Sequence, residues 1–189
     1  MLSAIRLPLQ PDRAGLQADV ARFSDEDWIP HFNTSYYEGE WSGIALRAVG
    51  GVARQLYPDP NPTEPWRDTE HLDRCPHVRS LLGELHCPLL SVRFLKLAAG
   101  ASIREHRDHA LGVEDGELRI HIPVRTNPEV EFFLDGRRVE MQEGEAWYLD
   151  LNQKHRVANH GSTDRVHLVV DCEVNDWLLE LLNTGEAPT

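Results

Sequence analysis

The sequence predicts a mainly β fold, an antiparallel sandwich or barrel flanked by helices that come mostly from its N-terminal part. Two observations predict it. From Leu89 onward, apolar residues recur at every second position, in short runs separated by turn residues. Helix-period stripes lie before that point, with one more near the C-terminus. Over 189 residues, 41% hydrophobic and 26% charged content is ordinary for a globular chain able to bury a core.

The elements follow in order. Leu16, Val20 and Phe23 recur at i, i+4 and i+7 after Pro11, which predicts an amphipathic helix of about three turns. Trp41–Val49 alternates, with Ile44, Leu46 and Ala48 in phase, and reads as a strand. Pro58, Pro60, Pro62 and Pro65 make 57–66 a loop, since proline removes a donor and fixes φ. Pro76 opens a second helix whose stripe is Val78, Leu81, Leu82 and Leu85. Strands are then predicted at Leu89–Leu97, 118–124, Val130–Leu134, 137–141, 146–151 and 165–172. Asp135-Gly136 is a strong hairpin signal and Glu143-Gly144 a weaker one. A last helix, 176–182, offers Trp177, Leu178, Leu181 and Leu182 for docking. Trp147 is expected in the sheet core, and Cys172 as a small buried apolar residue.

Composition excludes several classes. Nineteen Lys and Arg against 31 Asp and Glu leave a net charge of −12, which disfavours nucleic acid and anionic membranes as partners. No apolar run approaches the roughly 20 residues of a membrane-spanning helix. Residues 1–10, interrupted by Arg6 and Pro8, do not read as a secretory leader. Cys75, Cys87 and Cys172 lack the spacing of a disulfide framework or zinc knuckle, so the expected compartment is a reducing cytoplasm.

The chemistry gathers on histidine and arginine. In extended backbone, His106 and Asp108 point to one side and can converge on a metal. His155, just beyond the strand ending at Leu151, is the candidate third ligand. Two neutral imidazoles and a carboxylate form the facial triad of non-haem Fe(II) oxygenases, with positions left for a 2-oxo acid and dioxygen. Arg165, ten residues beyond His155 across the turn 159–164, is expected to return beside it. There its fixed fork suits the distal carboxylate of 2-oxoglutarate. Arg119 and His121 share one face of the strand 118–124. Arg93, in phase with Ser91, Leu95 and Leu97, is a candidate for a substrate carboxylate, or else a strand-end arginine paired with an acid. His109 and His160 are expected at the surface.

Together these residues carry a resemblance. Val92-Arg-Phe-Leu-Lys-Leu with Gly100, His106-Arg-Asp108, Leu118-Arg-Ile-His121, Gly144-Glu-Ala-Trp-Tyr-Leu-Asp150, His155 and Arg165-Val-His-Leu-Val-Val-Asp171 occur in that order. The run resembles the aspartyl/asparaginyl β-hydroxylase family of Fe(II)/2-oxoglutarate oxygenases, which includes bacterial proline cis-hydroxylases. The resemblance implies a double-stranded β-helix (a cupin-like jelly roll) and Fe(II) held by His106, Asp108 and His155. It also implies 2-oxoglutarate anchored by Arg165, with Arg119 and His121 nearby, and O2 as the oxidant. Vertebrate members carry glycine where Asp108 stands, so the chain follows the bacterial three-ligand pattern.

The expected organisation is one domain over 1–189. Residues 1–88 form a helical and strand N-terminal part, 89–174 the catalytic jelly-roll core, and 175–189 a C-terminal helix and tail. The expected activity is hydroxylation of an unactivated C–H bond in a small amino-acid-like molecule or an amino-acid residue. The competing class is a non-catalytic jelly-roll module that binds a metal or ligand, and a zinc hydrolase on the same ligands stands further off. Iron content and 2-oxoglutarate-dependent succinate release separate them.

Overall fold

The computed structural model describes residues 3–59 and 61–188. Residues 1, 2 and 189, and Pro60 of the proline-rich loop, lie outside them. In chain order the elements are β1 (Ala4–Leu7), α1 (Arg13–Val20), β2 (Ile29–Pro30), β3 (Tyr37–Glu38), β4 (Trp41–Val49), β5 (Trp66–Asp68) and α2 (Pro76–Leu82). They continue with β6 (Leu89–Leu97), β7 (Ser102–His106), β8 (Glu117–Arg125), β9 (Val130–Leu134) and β10 (Arg137–Arg138). The last are β11 (Ala146–Leu149), β12 (His155–Asn159), β13 (Arg165–Glu173) and α3 (Asp176–Asn183).

All strand pairs are antiparallel and form two sheets. The larger runs β1-β11-β8-β13-β6-β4-β2, with β5 also on β4, and the smaller runs β10-β9-β12-β7-β3. From β6 to β13 the chain passes back and forth between the sheets, which is the double-stranded β-helix. Asp135 and Gly136, with φ of 49° and 74°, make the two-residue turn of the β9–β10 hairpin. Glu143-Gly144 marks a turn but no hairpin, because β10 and β11 belong to different sheets.

The central strands of the larger sheet, β4, β6, β8, β11 and β13, are buried on both sides. One face (Ile44, Leu46, Val92, Phe94, Ile120, Ile122, Leu168, Val170) packs on Leu16, Val20, Val78, Leu81, Leu178 and Leu182 of the three helices. Cys172 lies in that layer. The other face looks into the barrel, where Leu95, Leu97, Trp147 and Val169 meet Ile103, Phe132, Leu134 and Val157 of the smaller sheet. Burial of this order drives the assembly, at about 25 cal/mol per Å² of apolar surface.

Local signals fix the helices. Asp12 caps α1 by accepting from the Gly15 N–H at 3.0 Å, and Asn175 caps α3 by accepting from Leu178. Asp19 of α1, fully buried, accepts the His77 and Val78 N–H groups of α2, both at 2.9 Å. That bond docks one helix on the start of the other. Helix α1 is shorter than expected, since the chain leaves it at Ala21, yet Phe23 still packs on the core. The strands expected at 137–141 and 146–151 end at Arg138 and Leu149. No helix among the described residues is long and apolar enough to cross a membrane.

Candidate metal centre

Strands β7 and β12 lie antiparallel with His106 directly opposite His155, and the register shifts just beyond that pair. The two rings stand 4.2 Å apart. Asp108 follows two residues after His106, its N–H donating to the Leu151 carbonyl at 2.9 Å. One ligand atom from each of His106, Asp108 and His155 lies within 4.8 Å of the others.

The tautomers are set by the backbone. His106 Nδ1 bonds the Arg104 carbonyl at 2.7 Å, and His155 Nδ1 bonds the Gln153 carbonyl at 3.0 Å. A carbonyl only accepts, so both Nδ1 atoms carry hydrogen and both Nε2 lone pairs are free. His155 is further held neutral by burial, which lowers its pKa against the pull of the Gln153 bond. Burial pushes the Asp108 carboxyl upward, but Arg119, then His155 and His106, carry it net below its usual value. Two imidazole lone pairs and one carboxylate suit Fe(II), and also zinc.

The inner face of the larger sheet supplies the surroundings. Arg119 forks onto Asp171, Nε to Oδ1 at 2.6 Å and Nη2 to Oδ2 at 3.0 Å, while its Nη1 donates to Asp108 at 2.6 Å. It therefore braces the ligand carboxylate. Burial opposes its charge, but Asp171 and Asp108 outweigh burial and raise its pKa. Arg93 donates to Asp171 at 2.8 Å and to the Leu56 carbonyl at 2.9 Å. Thus Asp171 is shared by two arginines, and the proline-rich loop reaches the site through Leu56.

Arg165 is different. It is 3% exposed, meets no carboxylate among the described residues, and leaves its buried Nε without a partner. Its Nη2 lies 3.0 Å from His167 Nδ1, and His167 in turn lies 3.4 Å from His121. Burial pushes Arg165 down to about 9, and holds both histidines well below their ordinary range. A cavity of about 620 Å³ reaches Arg165 and His167 past Phe132 and Thr126.

The structure therefore brings His106, Asp108 and His155 together, with Arg119 on Asp108 and Arg93 one ion pair further. Arg165 does not return beside His155 in the same sheet, because β12 and β13 belong to opposite sheets. It faces the barrel from the other wall. Two residues had no role assigned from sequence. Asp171 shares a strand face with Arg165 in the sequence, but its partners are 52 and 78 residues away. His31 is a lone loop histidine whose only sequence hint is the aromatic run around it.

A family model for aspartyl/asparaginyl beta-hydroxylase matches residues 13–174. The L-proline cis-4-hydroxylase of Rhizobium meliloti (strain 1021) is 25% identical over 184 residues, 94% of this chain and 63% of that protein. The chain thus spans under two thirds of that relative's length. A crystal structure of an oxidoreductase of the 2OG-Fe(II) oxygenase family from Burkholderia pseudomallei superposes with a TM-score of 0.58 at 14% identity, over 92% of this chain and 86% of that one. The non-heme alpha ketoglutarate dependent epimerase SnoN from nogalamycin biosynthesis gives 0.55 at 14% identity, over 99% and 86%. Both likenesses show the fold.

Proposed function

Because the chain belongs to the aspartyl/asparaginyl β-hydroxylase family, we propose that it is an Fe(II)- and 2-oxoglutarate-dependent oxygenase that hydroxylates a C–H bond of a small, amino-acid-like substrate. One observation carries this reading: a buried guanidinium with no acid beside it among the described residues, Arg165, looks into the same barrel as the candidate His2Asp set. Leaving such a charge unpaired costs several kcal/mol, so the position calls for an anion from outside the chain.

His106 and His155 through Nε2, and Asp108 through its carboxylate, would hold Fe(II). Bound there, the metal supplies dioxygen chemistry in which 2-oxoglutarate is oxidised to succinate and CO2 as a substrate C–H bond gains oxygen. The chain's part is orientation. Arg165 receives the distal carboxylate of 2-oxoglutarate, and His121 and His167, buried and neutral, line that wall without adding charge. Arg119 keeps Asp108 ionised and aimed at the metal. Arg93 already gives one bond from each Nη, to Asp171 and to the Leu56 carbonyl, while its buried Nε–H has no partner among the described residues.

Charge selects the substrate class. The barrel holds three buried arginines, of which Arg93 and Arg119 meet the two acids Asp171 and Asp108, and a divalent metal and a dicarboxylate cosubstrate cancel each other. One positive charge remains, which favours a substrate bearing a carboxylate. The decisive experiment is anaerobic reconstitution with Fe(II), then 2-oxoglutarate and O2, with succinate measured against a panel of free amino acids. Substrate-stimulated succinate release, with a 16 Da gain on the substrate, is expected. Iron binding without 2-oxoglutarate turnover would instead make the chain a metal-binding module.

A further inference from the structure

His31 lies in the turn between β2 and β3, outside every motif. Its N–H donates to the Trp41 carbonyl at 2.8 Å, which ties the turn to β4. Its ring lies flat on the Trp41 indole, with centroids 3.4 Å apart and planes 10° from parallel. Its Nδ1 accepts the Asn33 N–H at 3.3 Å, so the ring hydrogen resides on Nε2. Burial first, and then the positive charges of Arg93 and Arg119, hold its pKa down at about 3, and the ring is neutral. Phe32, packed on the His31 ring, meets Tyr57, and Tyr57 follows Leu56, whose carbonyl accepts from Arg93; these contacts join the imidazole to the arginines behind Asp108.

Its Nε2–H finds no acceptor among the described residues, and neither do the buried Trp41 Nε1 and Arg93 Nε. Two of these donors belong to stacked rings, His31 on Trp41, and the third belongs to Arg93 behind Leu56 and Tyr57. Around them stands an aromatic rim: Phe32 is 49%, Tyr36 40% and Tyr57 48% exposed. Phe32 meets Tyr57 edge-on at 5.1 Å and His31 at 4.2 Å, and Tyr36 leans over the His106 ring at 5.0 Å. Exposed aromatic rings gathered at one place mark a binding surface. A neutral N–H recognises an oxygen and cannot receive an ammonium, which fixes what this wall reads.

We propose that His31 is a substrate-binding residue, donating its Nε2–H to a carboxylate oxygen of a small substrate whose apolar body lies under Phe32, Tyr36 and Tyr57. The assignment rests on the oxygenase reading above. It is separate from the cosubstrate, whose distal carboxylate belongs to Arg165 near the opposite end of β13.

The test is calorimetric binding of the twenty common free amino acids, L-proline among them, to full-length protein loaded with Mn(II) and 2-oxoglutarate. The tightest binder is then compared with its decarboxylated amine. His31→Phe keeps a ring on Trp41 and removes the donor; His31→Gln keeps a donor. Loss of a hydrogen bond to a charged group predicts about 10- to 100-fold weaker binding in His31→Phe, and much smaller loss in His31→Gln. The amine should bind weakly and equally to all three proteins, and 2-oxoglutarate affinity should not change. Unchanged amino-acid binding in His31→Phe, an amine that binds as well as its acid, or no amino acid bound by wild type overturns the proposal. Failure of the oxygenase reading is distinguishable, because it shows as absent succinate release from the Fe(II) protein while the Mn(II) binding differences persist.

Discussion

Replacing Arg165 with methionine should make the ligand-free protein more stable and its cosubstrate binding far weaker. The two effects share one cause. Arg165 is buried with no carboxylate partner among the described residues, its contact being a neutral imidazole nitrogen 3.0 Å away. Methionine fills similar volume without a charge to desolvate, and replacing buried charges by packed apolar side chains gains about 1–4 kcal/mol in favourable cases. At about 2–4 °C per kcal/mol for a chain of this size, Tm should rise by roughly 2–16 °C. Wild type recovers that cost only when a carboxylate arrives. Removing one partner of a buried charge pair costs about 2–5 kcal/mol, so 2-oxoglutarate should bind about 30- to several-thousand-fold more weakly. Differential scanning calorimetry without ligand, and titration of 2-oxoglutarate into the Mn(II)-loaded protein, measure the two arms. A lower Tm together with unchanged 2-oxoglutarate affinity would refute the reasoning and make Arg165 a purely structural residue.

Asp108→Ala should abolish Fe(II)-dependent turnover and weaken metal binding, since it removes the only anionic ligand of the set; undiminished succinate formation at limiting iron counts against the assignment. Arg119→Met should lower metal affinity about 10- to 100-fold by freeing the Asp108 carboxylate, as losses in a metal's supporting shell typically do. If 2-oxoglutarate affinity falls while Mn(II) affinity, read by EPR, does not, Arg119 holds the cosubstrate itself. Stability should also drop with acid. His31, His121 and His167 have folded pKa values below the unfolded value of about 6.5, so the unfolded chain takes up protons first. Their effect is absent above about pH 6.5, and each removes about 1.4 kcal/mol per pH unit below it, until its folded pKa is reached. Urea unfolding that stays flat between about pH 7 and pH 5 contradicts buried neutral histidines.

Where the chain follows a single period, the sequence was readable to the residue. Strands β4, β6 and β9 lie where alternation places them, and Asp135-Gly136 makes its hairpin because both positions need positive φ. Strands β7 and β12 were not separately legible. Ser-Ile-Arg-Glu-His and His-Arg-Val-Ala-Asn give inward positions partly to the polar residues His106, His155 and Asn159, which erases the apolar alternation that marks a strand. The His106 and Asp108 pair that joins His155 in the cluster was visible, since an i, i+2 pair in extended backbone needs no tertiary knowledge. Asp171 was hidden for the opposite reason. Its bonds to Arg119 and Arg93 depend on the order β8-β13-β6, and strand order is set by global packing rather than local pattern. The same holds for His31, which gains its meaning from a stack on Trp41.

On the proposed ligand set, the pairing of His106 with His155 across β7 and β12 would make the metal a check on strand register. Slipping either strand by one residue turns its histidine to the opposite face, because side chains alternate. A misregistered chain would keep most of its apolar contacts in the larger sheet, yet lose the ion. Cells supplying iron would then retain correctly threaded molecules preferentially, since ligand bound only to the native state lowers its population of open forms. On that ligand set, scarcity of iron would remove the check and leave β7 and β12 joined by their backbone and apolar contacts alone.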